Sequence, residues 1–133
     1  MDRVHKLFKN DRFADMCGMV VEDIQPGYAK TSMKVEERHL NGLDVCQGGA
    51  IFTLADFAFA CASNSRGAIA VSIDISISFL EGVKEGECLV AEAREISLHR
   101  KIAVYDMEIK SGDKLVAKMT GTVYRKSEKI PVD

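Results

Sequence analysis

Between Ile69 and Phe79 the chain alternates almost without fault. Ile69, Val71, Ile73, Ile75, Ile77 and Phe79 fall on one side of an extended backbone, and Ala70, Ser72, Asp74, Ser76 and Ser78 on the other. Period-two spacing of this kind predicts a long strand with one face committed to the core. Upstream the pattern changes: from Ala50 to Ala62 only Thr53 and Asp56 are polar. Length and alanine content favour a helix there. A helix apolar on all sides has to be enclosed by other structure, and its alanines let neighbouring backbones come close. Ser63-Asn64-Ser65-Arg66-Gly67 supplies the stop.

Weaker patterns fill in the rest. Residues 2–9 read as a short amphipathic helix with Val4, Leu7 and Phe8 on one side. A strand is expected at 17–25, then a turn at Gln25-Pro26-Gly27-Tyr28. A second strand follows, in which Ala29, Thr31, Met33 and Val35 alternate with Lys30, Ser32, Lys34 and Glu36. A loop from His39 to Gln47 leads to the apolar helix. After the 69–79 strand come strands at about 87–97, 101–110 and 114–124, and a polar tail, Lys126 to Asp133, expected to fray. The order predicts an α+β fold, a largely antiparallel sheet curled around one buried helix, as a single domain over residues 1–133.

Composition narrows the class. The chain is 47% hydrophobic and 29% charged, with a formal net charge of −2. That balance gives no reason to expect bulk binding to nucleic acid or to an anionic membrane. No apolar run approaches the roughly 20 residues needed to span a bilayer, and Met1 to His5 lacks a signal-peptide core; a cytoplasmic location is expected. Cys17, Cys46, Cys61 and Cys88 show no metal-binding spacing and suit reduced, buried thiols. Neither GxxxxGK[ST] nor a GxGxxG after a strand occurs, which argues against common nucleotide folds.

Candidate chemistry gathers at the apolar helix. A carboxylate among apolar residues costs several kcal/mol unless it is hydrogen-bonded or put to use. Asp56 is therefore either a structural acid satisfied by nearby donors or a general base with a raised pKa. Gln47-Gly48-Gly49 stands where the helix begins, so its N–H groups lack intrahelical acceptors. It is either a tight turn that needs glycine or a cradle for developing negative charge. Asn41-Gly42 reads first as a turn dipeptide, and Ser72 is one of several hydroxyls on its strand. His99-Arg100-Lys101 is either a solvated turn or a contact for a phosphate. His5 and His39 lie in polar contexts, with no arrangement that spells a nucleophilic triad.

Taken together, the run from Asn41 through Gln47-Gly48-Gly49 to Leu54-Ala55-Asp56 resembles the signature of the phenylacetate-degradation-type (PaaI-like) hotdog thioesterases. That pattern is Asn, a short loop, His-Gly-Gly, then an apolar helix reaching Leu-Ala-Asp. The element order and Val71-Ser72-Ile73-Asp74 extend the likeness over nearly the whole chain. The resemblance implies a hotdog fold and hydrolysis of an acyl- or aryl-coenzyme A thioester. No metal or separate cofactor is implied, coenzyme A being part of the substrate. Asp56 would be general base or nucleophile, the Gly48 amide would hold the oxyanion, Asn41 would orient the water or substrate, and Ser72 would support the water. Gln47, Gly49, His99, Arg100 and Lys101 are the expected substrate contacts. The chain departs from the pattern twice: Gln47 replaces the histidine, and Asp44 stands where glycine often follows the asparagine.

In this family the site lies between two subunits, Asp56 of one facing Asn41 and Gly48 of the other. An exposed edge at 69–79 in an isolated hotdog subunit invites pairing with its own copy, so a homodimer, or a homotetramer built as a dimer of dimers, is expected. Pocket depth then depends on how Phe52, Phe57, Phe59 and the loop near Leu80 pack. The alternative is a non-catalytic acyl-coenzyme A binding or sensing domain on the same fold.

Overall fold

The computed structural model describes residues 2–131. Its first helix, α1 (Asp2–Lys9), follows the apolar spacing read from the sequence. Val4 is 3% exposed and Phe8, one turn on, is half-buried, while Leu7 stays exposed. The strand expected from Cys17 starts only at Val20, because a further helical turn, α2 (Arg12–Met16), precedes it. Asp11 caps that turn, accepting the Ala14 N–H at 3.0 Å, and Gly18 at φ 76° releases the chain from it.

Strands β1 (Val20–Gln25) and β2 (Tyr28–Lys34) form a hairpin. Its Pro26-Gly27 turn uses the left-handed φ of 73° that glycine supplies. The long helix α3 (Gly48–Ser63) comes next, then β3 (Ala68–Phe79), β4 (Cys88–Leu98), β5 (Ile102–Ser111) and β6 (Lys114–Lys129). All strand pairs are antiparallel, in the order β1-β2-β4-β5-β6-β3. The tail does not fray where expected: β6 runs on to Lys129, opposite Ala68, and Ile130 is 2% exposed. Its bulky apolar end tucks under the start of β3, where the Ile130 N–H bonds to the Gly67 carbonyl at 2.8 Å. Val132 and Asp133 lie outside the described residues.

Helix α3 packs against one face of the sheet and meets all six strands. Small side chains allow the close approach: Ala55, Ala58 and Ala62 face Ala91, Ala93 and Ala103, all fully buried. Leu54 and Phe59 fill the remaining space, each stabilising the fold by on the order of 2 kcal/mol through burial. Thr31 reinforces the seat, its hydroxyl donating to the Leu54 carbonyl at 3.1 Å. Enclosure is not complete within the chain: Gly49 is exposed, and Ala50, Phe52, Thr53, Asp56 and Ala60 form a half-open stripe.

The strict alternation of β3 misleads in one respect. Its pairing with β6 shifts between Ser72 and Asp74, leaving Ile73 as an extra, bulged residue. Partners across a ladder share a face, so Ser72, opposite the buried Val123, points to the helix side, as do Ile75 and Ile77 beyond the bulge. Val71, opposite Tyr124, is left 40% exposed, and Ile73 is 57% exposed. β3 is also an edge of the sheet. The cysteines are all free, but Cys88 is exposed on the outer face, opposite Lys34, and only Cys46 and Cys61 are buried.

Candidate active site

A cleft of about 340 Å³ lies between the middle of α3 and the first half of β3. Asp56, Ala60 and Ser63 line it from the helix at i, i+4 and i+7, one face by helical geometry. Ala70, Val71 and Ser72 line it from the strand, Phe59 and Val123 from the core side, and Phe8 from α1. The bulge at Ile73 is what brings Ser72 to this side. Asn64, 5% exposed, secures the wall, accepting the Ala70 N–H at 3.0 Å and donating to the Ala70 carbonyl at 3.3 Å. The start of β3 is thus hydrogen-bonded to the end of α3 as if to another strand.

Asp56 is half-buried, and removal from water raises its pKa above the ordinary 3.8, with the negative charge of Asp11 adding to the effect. The same two causes push the Cys61 thiol far up, and burial followed by Glu87 raises Cys46 to about 11. Both thiols are therefore protonated and poor nucleophiles near neutral pH. His39 is buried rather than in a polar context: its Nδ1 accepts the Glu36 N–H at 2.9 Å and its Nε2 faces the Cys17 carbonyl at 2.8 Å. It pins the loop and lies away from the cleft. Among the described residues, no group of three or more His, Cys, Asp or Glu side chains could hold a metal ion.

At the start of α3, Gln47 is the N-cap, its Oε1 accepting the Gly49 N–H at 3.0 Å. Gly49 therefore has no free amide to offer a ligand. The neighbouring Gly48 N–H has no hydrogen-bond partner among the described residues. A Cβ at Gly48 would sit 3.2 Å from the Phe79 ring, so glycine keeps both the amide and the ring in place. Asn41 shapes the loop before it: its Oδ1 accepts from the Leu43 N–H at 2.8 Å and the Val45 N–H at 3.3 Å. Within that loop Asp44 adopts φ 59°. The left-handed backbone explains why glycine suits this position, and aspartate is among the residues that tolerate it.

Within one chain these elements do not converge. Gly48 and Asp56 stand eight residues apart on α3, about 12 Å along its axis, and Asn41 lines a different depression from Asp56. His99, Arg100 and Lys101 form the exposed turn between β4 and β5, where Arg125 donates to the carbonyls of His99 at 3.1 Å and Arg100 at 3.4 Å. Register places this turn just beyond the row Leu98–Ala103–Val123–Ser72. Sequence reasoning missed Asp11, Asn64 and Phe8. Asp11 carried a signal, an acidic residue before Arg12-Phe13-Ala14, as an N-cap requires; Asn64 was legible only as a helix stop.

Comparison with known proteins agrees with this architecture. The sequence profile of the Thioesterase superfamily matches residues 43–118. A protein of Archaeoglobus fulgidus, provisionally named an esterase, is 48% identical over 94% of this chain and 82% of its own length. The acyl-coenzyme A thioesterase PaaI of Escherichia coli is 37% identical over 91% of this chain and 87% of its own. The structure of that protein, from the phenylacetic acid degradation operon, superposes with a TM-score of 0.94, 35% identity, and coverage of 98% and 95%. A thioesterase-like protein of Streptococcus pneumoniae, solved with coenzyme A, gives a TM-score of 0.86 at 25% identity, with coverage of 93% and 98%. No helix among the described residues is long and apolar enough to cross a membrane. The hotdog architecture, the matching profile and these relatives lead to one conclusion: the chain belongs to the thioesterase superfamily, a family of hydrolases.

Proposed function

We propose that the protein hydrolyses acyl- or aryl-coenzyme A thioesters, RCO–S–CoA + H2O → RCOO⁻ + H⁺ + CoA–SH, at a site shared by two copies of the chain. The observation that carries this reading is Asp56, a half-buried carboxylate that lines the same cleft as Ser72. The Gly48 N–H, at the positive end of α3, polarises the thioester carbonyl and stabilises the oxyanion. Asp56 either takes a proton from the attacking water or attacks the carbonyl itself. Ser72 holds the water, the Asn41 amide orients water or substrate, and Gln47 offers its remaining amide hydrogens to the substrate. His99, Arg100 and Lys101 receive the phosphates of coenzyme A.

The separation of about 12 Å between Gly48 and Asp56 supports the shared site, since one carbonyl cannot touch both within one helix. So does β3, an unpaired edge bearing the exposed apolar residues Val71, Ile73 and Phe79. A two-fold axis beside β3 makes a dimer with two sites. Pairs of such dimers build the homotetramer.

The test is release of free thiol from a panel of short, long and aromatic coenzyme A thioesters. Asp56→Asn and Asp56→Ala are expected to lower kcat at least a hundredfold with the fold intact. Unchanged rates in both would end the catalytic assignment. Binding of these thioesters without thiol release by the wild type would make the chain a binding domain. A monodisperse monomer at micromolar concentration would remove the shared site.

A further inference from the structure

Phe8 lines two cavities. One is the cleft beside Asp56; the other, about 280 Å³, lies behind α1 and α2. Among the described residues, Phe8 is the one that lines both. Its ring meets Phe57, the helical neighbour of Asp56, edge to face at 6.5 Å and 64°. Phe57 in turn forms a wall of the second cavity, with Ala14, Met19 and Val21. These side chains make that cavity apolar next to Phe8, while His5, Lys9, Asp11 and Asp15 stand at its rim.

We propose that Phe8 is the residue that sets the length of acyl chain the enzyme accepts, as a partition between the cleft and this second cavity. The inference rests on the thioesterase reading and goes beyond it by naming the substrate feature selected. A thioester carbonyl at Asp56 directs its acyl group along the apolar lining of Phe59, Ala60 and Ala70. The group meets Phe8, on whose other side the second cavity lies. Phe8 is only half-buried, on a short helix anchored by the buried Val4 one turn before it. Truncating it opens the partition without removing the anchor. Short and aromatic acyl groups fill the cleft as it stands, whereas extended hydrocarbon chains need the space behind Phe8.

The experiment compares wild type, Phe8→Ala, Phe8→Leu and Phe8→Trp on straight-chain saturated acyl-coenzyme A substrates of increasing length, read as kcat/KM by thiol release. Circular dichroism checks the fold of each variant. Phe8→Ala is expected to move the optimum to longer chains, gaining about fourfold for each methylene newly buried. Phe8→Leu moves it in the same direction by less, and Phe8→Trp leaves the optimum in place or shortens it. A loss of folding energy lowers all rates together and does not change their ratio, so the long-to-short ratio reports the partition itself. Folded Ala and Leu variants that keep the wild-type profile would overturn the role of Phe8 alone. A wild type that releases no thiol at any length would instead remove the reading on which it rests.

Discussion

Replacing Gly121 by alanine puts one methyl group against Phe59, which lines the cleft. A Cβ there falls 2.6 Å from two carbons of the Phe59 ring, roughly 0.8 Å inside ordinary contact at 3.4 Å. The ring has little room to retreat: Phe59 is 1% exposed and packs on Tyr105 at 5.7 Å. Tyr105 is itself held by Glu95 at 3.0 Å, and Glu95 by both arms of Arg66. Overpacking of this kind costs about 1–3 kcal/mol. With an unfolding entropy of about 2.1 cal/mol/K per residue over 133 residues, that lowers Tm by about 4 to 11 °C. Urea and thermal unfolding of Gly121→Ala, Phe59→Leu and the double variant measure it. The leucine variant removes the ring, so alanine at 121 should cost less than about 0.5 kcal/mol in that background. Strict additivity of the two changes, or a single variant as stable as wild type, would refute the argument.

Three further outcomes follow from the site. Asp56 has a raised pKa, so the folded state holds its proton more tightly than the unfolded chain. Stability is then lost as pH rises from 3.8 through the folded value, and the penalty is constant above it. Asp56→Asn should therefore melt higher than wild type at pH 7 and level with it below pH 3.8, by scanning calorimetry. Asp11→Asn keeps the cap of α2, since asparagine caps as well as aspartate, but removes the charge that helps raise Asp56. The acidic limb of kcat against pH should move to lower pH, and an unmoved limb would assign the shift to burial alone. Asn64→Ala leaves both backbone groups of Ala70 without their partner and should cost about 1–3 kcal/mol in urea unfolding. It should also lower kcat on every substrate as β3 loosens beside Asp56.

Much of this fold was legible because its signals are local and repeated. The alanine-rich run around Asp56 favours a helix enclosed by other structure, and Pro26-Gly27 marks the turn of the first hairpin. What stayed hidden depends on counts or contacts that no period records. Ile73 continues the alternation perfectly in sequence, yet the ladder skips it, so Ser72 faces the helix and Val71 does not. The helical turn after Asp11 is too short to show a period. Asn64 looks like any polar residue at a helix end until Ala70 folds back to meet it. Asp56 and Gly48 could be found by spacing, but their separation along α3 emerges only when the helix is built.

Ile73 also makes β3 longer by one residue than β6 requires. In most strands a single deletion throws every later side chain onto the wrong face. Here, removing Ile73 alone leaves Ser72 opposite Val123 and Asp74 opposite Thr122, with the ladder now regular and each neighbour on its present side. Only the local bend and twist would go, and with them the aim of Ser72. The chain thus carries a spare link beside its cleft: this strand can lose a residue there and keep its phase, but an added one has nowhere to go.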